Sequence, residues 1–359
     1  MSHVKLFIPG PVEVSEKTYQ ALRSPVMGHR SKDFQDLFRR VQPGLQELFF
    51  TRRPVFVSTS SAWGVMEGAV RNLVAKKVLS CMNGAFSDKW HDVALRCGKK
   101  ADKLQVEWGK IITPKALDAA LKTGGYDAVT IIHNETSTGA MNPLPELAEV
   151  MKKYPDVMFI VDVVSSFSAL KIPFDELGID VMLAGVQKAL ALPPGAAVFA
   201  VSEKALARAE TMNDRGYYFD FIEFEKNAAK NMTPSTPSIS HIYALKSKLE
   251  DIFSEGLEKR YARHLRNAEI TREWVKKNGF EFFAQKGHES VTLTCVRNNR
   301  GVDVPKLIQW LRENHDCIID GGYGKIKGES FRISHMGDES TENIQELLNN
   351  LSEGLSAIG

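Results

Sequence analysis

Four places in this chain of 359 residues have residue types and spacing that could do chemistry. Lys188 stands in Gly185-Val186-Gln187-Lys188-Ala189-Leu190, between two apolar runs and just ahead of Pro193-Pro194-Gly195. Lysine is rarely buried without a partner. A desolvated lysine has a lowered pKa and becomes a nucleophile towards carbonyls; the plainer reading is an exposed loop lysine. Asp162 ends the run Phe159-Ile160-Val161-Asp162. The carboxyl end of a central strand is where open α/β sheets bind ligands; the plainer reading is the cap of a turn or helix. Ser58-Thr59-Ser60-Ser61-Ala62 lies between a strand and a helix. Its hydroxyls and the positive end of the helix suit an anion such as phosphate. An ordinary N-cap would look the same, and no Walker or Rossmann glycine fingerprint accompanies it. Arg332, in Ser330-Phe331-Arg332-Ile333-Ser334, is either a two-pronged clamp for a carboxylate or one half of an edge-strand salt bridge.

Each feature alone is ambiguous, but the combination is specific. A lysine nucleophile, a strand-end aspartate, a phosphate site and a carboxylate clamp make a pyridoxal-phosphate site. The cofactor aldehyde needs the lysine, and its pyridine nitrogen needs a carboxylate to stay protonated and make the ring an electron sink.

The elements that must position these groups are legible as patterns. Val55–Ser58 reads as a strand, and the helix after it shows Val65, Ala69 and Leu73 on one face. Nearly continuous apolar runs follow at 78–82, 128–134, 157–164, 180–185 and 196–202. Such runs suit strands buried on both faces of a mostly parallel sheet. Helical patterns fall between them at 88–97, 114–122 and 145–153, giving an α/β fold. From about residue 240 the texture changes: a long charged helix broken near Gly256, then strands at 289–296, 317–320 and 330–334 with two helices between and after them. This predicts an N-terminal segment 1–15, a large domain 16–250 and a small α+β domain 251–359.

Composition is that of an ordinary soluble globular protein. Hydrophobic residues make up 43% and charged residues 25%. Lys plus Arg is 46 against 44 Asp plus Glu, a net charge of +2, which argues against nucleic acid or membrane as a partner. The four cysteines have no zinc spacing and read as reduced thiols, so no metal is expected. The N-terminus lacks the apolar run of a signal peptide, and no stretch reaches the ~20 apolar residues of a membrane span. The expected compartment is cytoplasmic.

The order of motifs resembles the class V branch of fold type I PLP aminotransferases, in particular the alanine–glyoxylate and serine–glyoxylate (serine–pyruvate) group. The resemblance runs through Pro9-Gly10-Pro11, Gly28-His29-Arg30-Ser31-Lys32-Asp33-Phe34 and Asn83-Gly84. It continues through His133-Asn134-Glu135-Thr136-Ser137-Thr138-Gly139, Val161-Asp162, Gln187-Lys188-Ala189-Leu190, Thr233-Pro234 to Pro237, and Arg332-Ile333. It implies a large domain with a mostly parallel, helix-covered sheet and a smaller α+β C-terminal domain. Lys188 then looks like the Schiff-base lysine and proton shuttle, and Asp162 like the partner of the pyridine nitrogen. Phe86 falls where a ring stacks on the cofactor, and Thr136, or less well Ser137, beside its phenolic oxygen. Ser60, Ser61, Ala62 and Gln187 match phosphate positions. Ser235 and Thr236 match a loop reaching the partner subunit's phosphate, which implies a homodimer. Arg332 and Gly10 match substrate positions.

The chain departs from the best-known relatives at Phe86 (tryptophan there), at Ala184 and Val186 (serine and glycine), and at Met232 (tyrosine in some). The implied reaction is transamination between alanine or serine and glyoxylate or pyruvate. A cysteine desulfurase-like lyase, a non-catalytic protein on the same fold and an aminotransferase using another donor such as aspartate are the alternatives. The first needs a mobile thiol facing the cofactor.

Overall fold

The computed structural model describes residues 3–359. The strands of its first half are β1 (Lys5–Leu6), β2 (Val55–Ser58), β3 (Lys77–Met82), β4 (Lys100–Gln105), β5 (Ala128–Ile132), β6 (Asn134–Glu135) and β7 (Ala140–Met141). Those of the second half are β8 (Met158–Asp162), β9 (Val181–Gly185), β10 (Ala197–Val201), β11 (Glu281–Phe282), β12 (Leu293–Arg297), β13 (Cys317–Ile318) and β14 (Ser330–Ser334). Seven of them form one sheet in the order β2-β10-β9-β8-β5-β3-β4. Pairings from β9 through β4 are parallel, whereas β10 runs antiparallel to both neighbours.

Every residue of β5, β8, β9 and β10 is buried, as a sheet covered on both faces requires. The pleat sorts them: Phe159 and Val161 join one apolar cluster, Met158 and Ile160 the other. Asp162, next in the alternation, therefore points to the second face. β4 is charged and lies at the sheet edge, where charge discourages pairing with another chain. The absence of an apolar run there explains why the sequence pattern misses it.

The helix Lys32–Phe49, which packs Phe34, Leu37, Phe38, Val41, Leu45 and Leu48 inward, also went unread; its Ser31 cap and its i, i+3, i+4, i+7 spacing were the available signals. The break near residue 256 is real. Gly256 has φ +87° between the helices Ile239–Glu255 and Leu257–Lys277. After it, β11, β12 and β14 form a three-stranded antiparallel sheet.

Four histidines are buried in this framework, His91, His133, His264 and His335, and burial lowers the pKa of each. Burial holds His133 at about 4 and His335 at about 3, and pushes His264 well below its ordinary value. A histidine kept neutral in the fold but free to charge when unfolded stabilises fully above pH ~6.5, and loses that contribution as pH falls towards the folded value. For His133 alone the loss is about 3 kcal/mol. Asp162, raised to about 6 by burial, and Asp88 and Glu339, which burial also raises, act in the opposite sense against the four imidazoles. The melting temperature is therefore expected to drop between pH 7 and pH 4 in scanning calorimetry. A flat profile would show that these imidazoles are not held neutral.

Candidate active site

The carboxyl ends of β3, β5 and β8 open into a cleft lined by Ala62, Phe86, Thr136, Asp162, Gln187 and Lys188, among others. β4 and β5 leave β3 on opposite sides, so the cleft lies beside a topological switch point, the expected place in an open α/β sheet. The space inside the cleft is about 110 Å³, a narrow slot that suits a flat ring rather than a bulky ligand.

Asp162 is 3% exposed. Its Oδ1 accepts from Val164 N at 2.8 Å and its Oδ2 from Trp90 Nε1 at 3.1 Å. Desolvation raises it to about 6, and nearby Glu135 pushes the same way. A carboxylate buried at this cost is poised to meet a positive group in the cleft.

Lys188 lies in the connection between β9 and β10. Its Nζ donates to the Pro9 carbonyl, and part of its surface stays open to the cleft. Desolvation and the nearby Arg332 charge lower it to about 8, with Asp162 and Asp320 opposing. The N-terminal segment closes over it. Gly10 has φ +103°, and a Cβ there would sit 2.6 Å from Lys188 Cδ and 2.7 Å from Nζ. Gly10→Ala is thus expected to displace the lysine and cut turnover about a hundredfold, the scale of a 1 Å misplacement, in a protein that still melts cooperatively. Normal kcat would show that Gly10 does not set the position of Lys188.

The helix Ala62–Leu73 starts at Ser61, an extended N-cap whose side chain makes no capping bond. Ser60 pairs with Ser58, hydroxyl to hydroxyl, at 2.9 Å. The first amides of this helix thus face the cleft without the usual hydroxyl acceptor, which favours an anion. Thr59, one of the hydroxyls of the Ser58–Ala62 stretch, accepts from Ser238 N at 2.8 Å through its hydroxyl and from the Tyr218 hydroxyl at 3.1 Å through its carbonyl. It ties the 233–238 loop to the helix start. Within one chain, Ser235 and Thr236 do not line the cleft. Arg30 fixes their loop by donating to the Thr233 and Pro234 carbonyls.

The Phe86 ring borders the cleft, and Tyr323 stacks on it at 5.0 Å and 11°. The position of Phe86 is set by Glu135, a fully buried carboxylate that the sequence reading passed over. Glu135 accepts from Phe86 N at 3.3 Å, Ser87 N at 2.9 Å and the Ser137 hydroxyl at 2.6 Å. Negative charge at a helix start is favourable. Gly84 is needed for that approach, since a Cβ there would lie 2.3 Å from Glu135 Cγ. Thr136 donates to Ser165 Oγ at 2.8 Å.

Arg332 is 4% exposed. Nη1 donates to the Thr136 carbonyl at 3.0 Å, and Nε and Nη2 reach Asp320 Oδ1 at 2.9 and 2.8 Å. The salt-bridge reading is therefore correct as far as it goes. Of the five guanidinium N–H donors, one on each terminal nitrogen stays outside these three bonds; Arg332 itself is not among the residues lining the cleft and meets it through the Thr136 backbone. All four thiols are buried and raised above their ordinary value. None lines the cleft, which removes the support for desulfurase chemistry.

Comparison with known proteins agrees with this arrangement. The sequence profile described as "Aminotransferase class-V" matches residues 16–346. The chain is 33% identical to a serine–glyoxylate aminotransferase of Methylorubrum extorquens, over 93% of this chain and 86% of that one. It is 30% identical to an L-aspartate–glyoxylate aminotransferase of Paracoccus denitrificans, over 92% and 86%. The crystal structure of an alanine–glyoxylate aminotransferase from Nostoc sp. superposes with a TM-score of 0.93 at 27% identity, covering 99% of this chain and 96% of that one. With a profile matched over most of its length and a fold type I architecture around the lysine and aspartate, this chain belongs to the class V aminotransferases.

Proposed function

We propose that the protein is a PLP-dependent aminotransferase passing the amino group of alanine or serine to glyoxylate or pyruvate. The observation that carries this reading is the convergence of Lys188 and Asp162, both desolvated, in one cleft beside an uncapped helix start. These residues fit the cofactor. Lys188 would hold its aldehyde, Asp162 its pyridine nitrogen, Phe86 one ring face, Thr136 the phenolic side, and Ser60, Ser61, Ala62 and Gln187 its phosphate. Bound there, the cofactor supplies an electron sink for the pair left when the donor's Cα loses its proton.

The chain's own groups do the rest. Arg332 and the backbone at Gly10 orient the donor carboxylate. Lys188 Nζ, partly unprotonated near neutral pH, takes the Cα proton and later returns it. Asp162 holds a proton on the pyridine nitrogen. Pro9 and Gly10 cover one side of the lysine and leave the other open to the cleft.

We read the chain as the segment 1–15, a large domain to 250 and a small domain from 251, supported by the separate apolar cluster around β12 and β14. A homodimer is supported by the rigid, proline-bracketed loop bearing Ser235 and Thr236, and by Tyr217 and Tyr218, 90% and 41% exposed beside Thr59. A cytoplasmic site agrees with four free thiols. No described helix is long and apolar enough to cross a membrane.

The direct test is a half-reaction screen. Each L-amino acid is mixed with the purified protein without acceptor, and loss of the cofactor's visible absorbance is followed. Alanine and serine are expected to be fastest; a preference for phenylalanine would overturn the donor assignment.

A further inference from the structure

The relatives include enzymes named for serine and for aspartate at similar identity, so likeness alone does not choose between a donor with one carboxylate and a donor with two. The Arg332 environment bears on that choice. Asp320 and Arg332 face each other across an antiparallel bridge, with Arg332 N donating to Asp320 O at 2.7 Å and Asp320 N to Arg332 O at 3.1 Å. Directly opposed residues share a face, and the two side chains pair. A single oxygen, Asp320 Oδ1, takes Nε, Nη2 and the Gly322 amide, the last at 2.9 Å. The turn is fixed, because Gly322 has φ +86° and a Cβ there would lie 2.7 Å from the Ser330 carbonyl.

We propose that Asp320 is a specificity-determining residue: its carboxylate orients Arg332 and neutralises its charge, so the subsite takes a donor with one carboxylate and disfavours a second. The proposal rests on the reading of Arg332 as the clamp. The charges around it are consistent. Asp162 and Glu135 already place two buried carboxyl groups on the cleft side. Arg312 and Lys327, both exposed, share a separate cavity with Asp320, and a third cation, Lys89, reaches over the Phe86 and Tyr323 rings and donates to the Tyr323 hydroxyl. It too is exposed, so solvent and salt screen all three. Asp320 lies against a buried guanidinium, where like-charge repulsion is felt more strongly.

Asp320→Asn keeps an oxygen acceptor for all three bonds and removes the charge. Equilibrium binding of propionate and succinate, an unreactive mono- and dicarboxylate, is measured on the holoenzyme, with Arg332→Ala in parallel. In D320N both anions should bind more tightly, and the succinate-to-propionate affinity ratio should rise about tenfold, and by at least threefold. A smaller rise, or a fall, overturns the proposal. If R332A leaves propionate binding unchanged, the failure lies in the clamp; if R332A abolishes binding and D320N leaves the ratio alone, it lies in Asp320. Should D320N fold poorly, Asp320→Ser carries the same expectation for the ratio.

Discussion

Replacing Lys188 by alanine is expected to lower turnover at least about ten-thousandfold and to abolish borohydride labelling of the protein by its cofactor. General acid–base transfer by a positioned group contributes up to about ten-thousandfold, and the same nitrogen is also the covalent anchor. No neighbour can take over. The next cation, Arg332, is engaged with Asp320 and the Thr136 carbonyl. Lys89 sits outside the Phe86 ring, bonded to Tyr323. Peptide mapping after reduction checks the assignment, and an adduct on Lys89 would reject it. The variant should still fold, since Lys188 makes one hydrogen bond, to a carbonyl of the N-terminal segment.

The second large effect concerns Asp162. Asp162→Asn should lower kcat about a thousandfold, equivalent to about 4 kcal/mol of transition-state stabilisation, while cofactor and fold are retained. An amide cannot hold a proton on the pyridine nitrogen. Nor can its NH2 replace Oδ2 as an acceptor for Trp90 Nε1, so the side chain must choose between that bond and the Val164 amide. Loss of turnover with unchanged visible absorbance in a well-folded variant is the expected pattern. Activity within tenfold of the parent would mean that the carboxylate does not serve the ring nitrogen.

How much of this site was legible beforehand depended on whether a residue's role is local. Asp162 could be found because the run Met158–Asp162 fixes both its strand and, through the pleat, its face. Lys188 could be found because a lysine between two buried runs is anomalous. The phosphate-side serines follow from a strand–helix junction, which is also local. Glu135 could not be assigned a task, because its meaning depends on Gly84 leaving room for it against another element's amides. Asp320 was silent for a similar reason: its partner is 12 residues away across a bridge whose register no local pattern announces. Thr59 reads as one hydroxyl among several until the 233–238 loop is seen resting on it. Pattern reading finds residues placed by their own element and misses those that work by holding another one.

The contact between the two ends of the chain sets a schedule for its birth. β1 pairs with β13, matching Lys5 to Cys317 and Leu6 to Ile318, and the Phe7 carbonyl accepts from Ser334 N at 2.9 Å. The first ten residues emerge from the ribosome before any of these partners exists. At 5–20 residues per second they wait roughly 15–60 s for them. During that interval the large sheet can form and Lys188 can be set in its turn, but the strand that leads into Pro9 and Gly10 still lacks its partners. A nascent chain stalled short of Arg332 would carry the lysine without either the full anchor of its cover or the carboxylate clamp. Synthesis of β13 and β14 is thus the step that anchors the cover over the site.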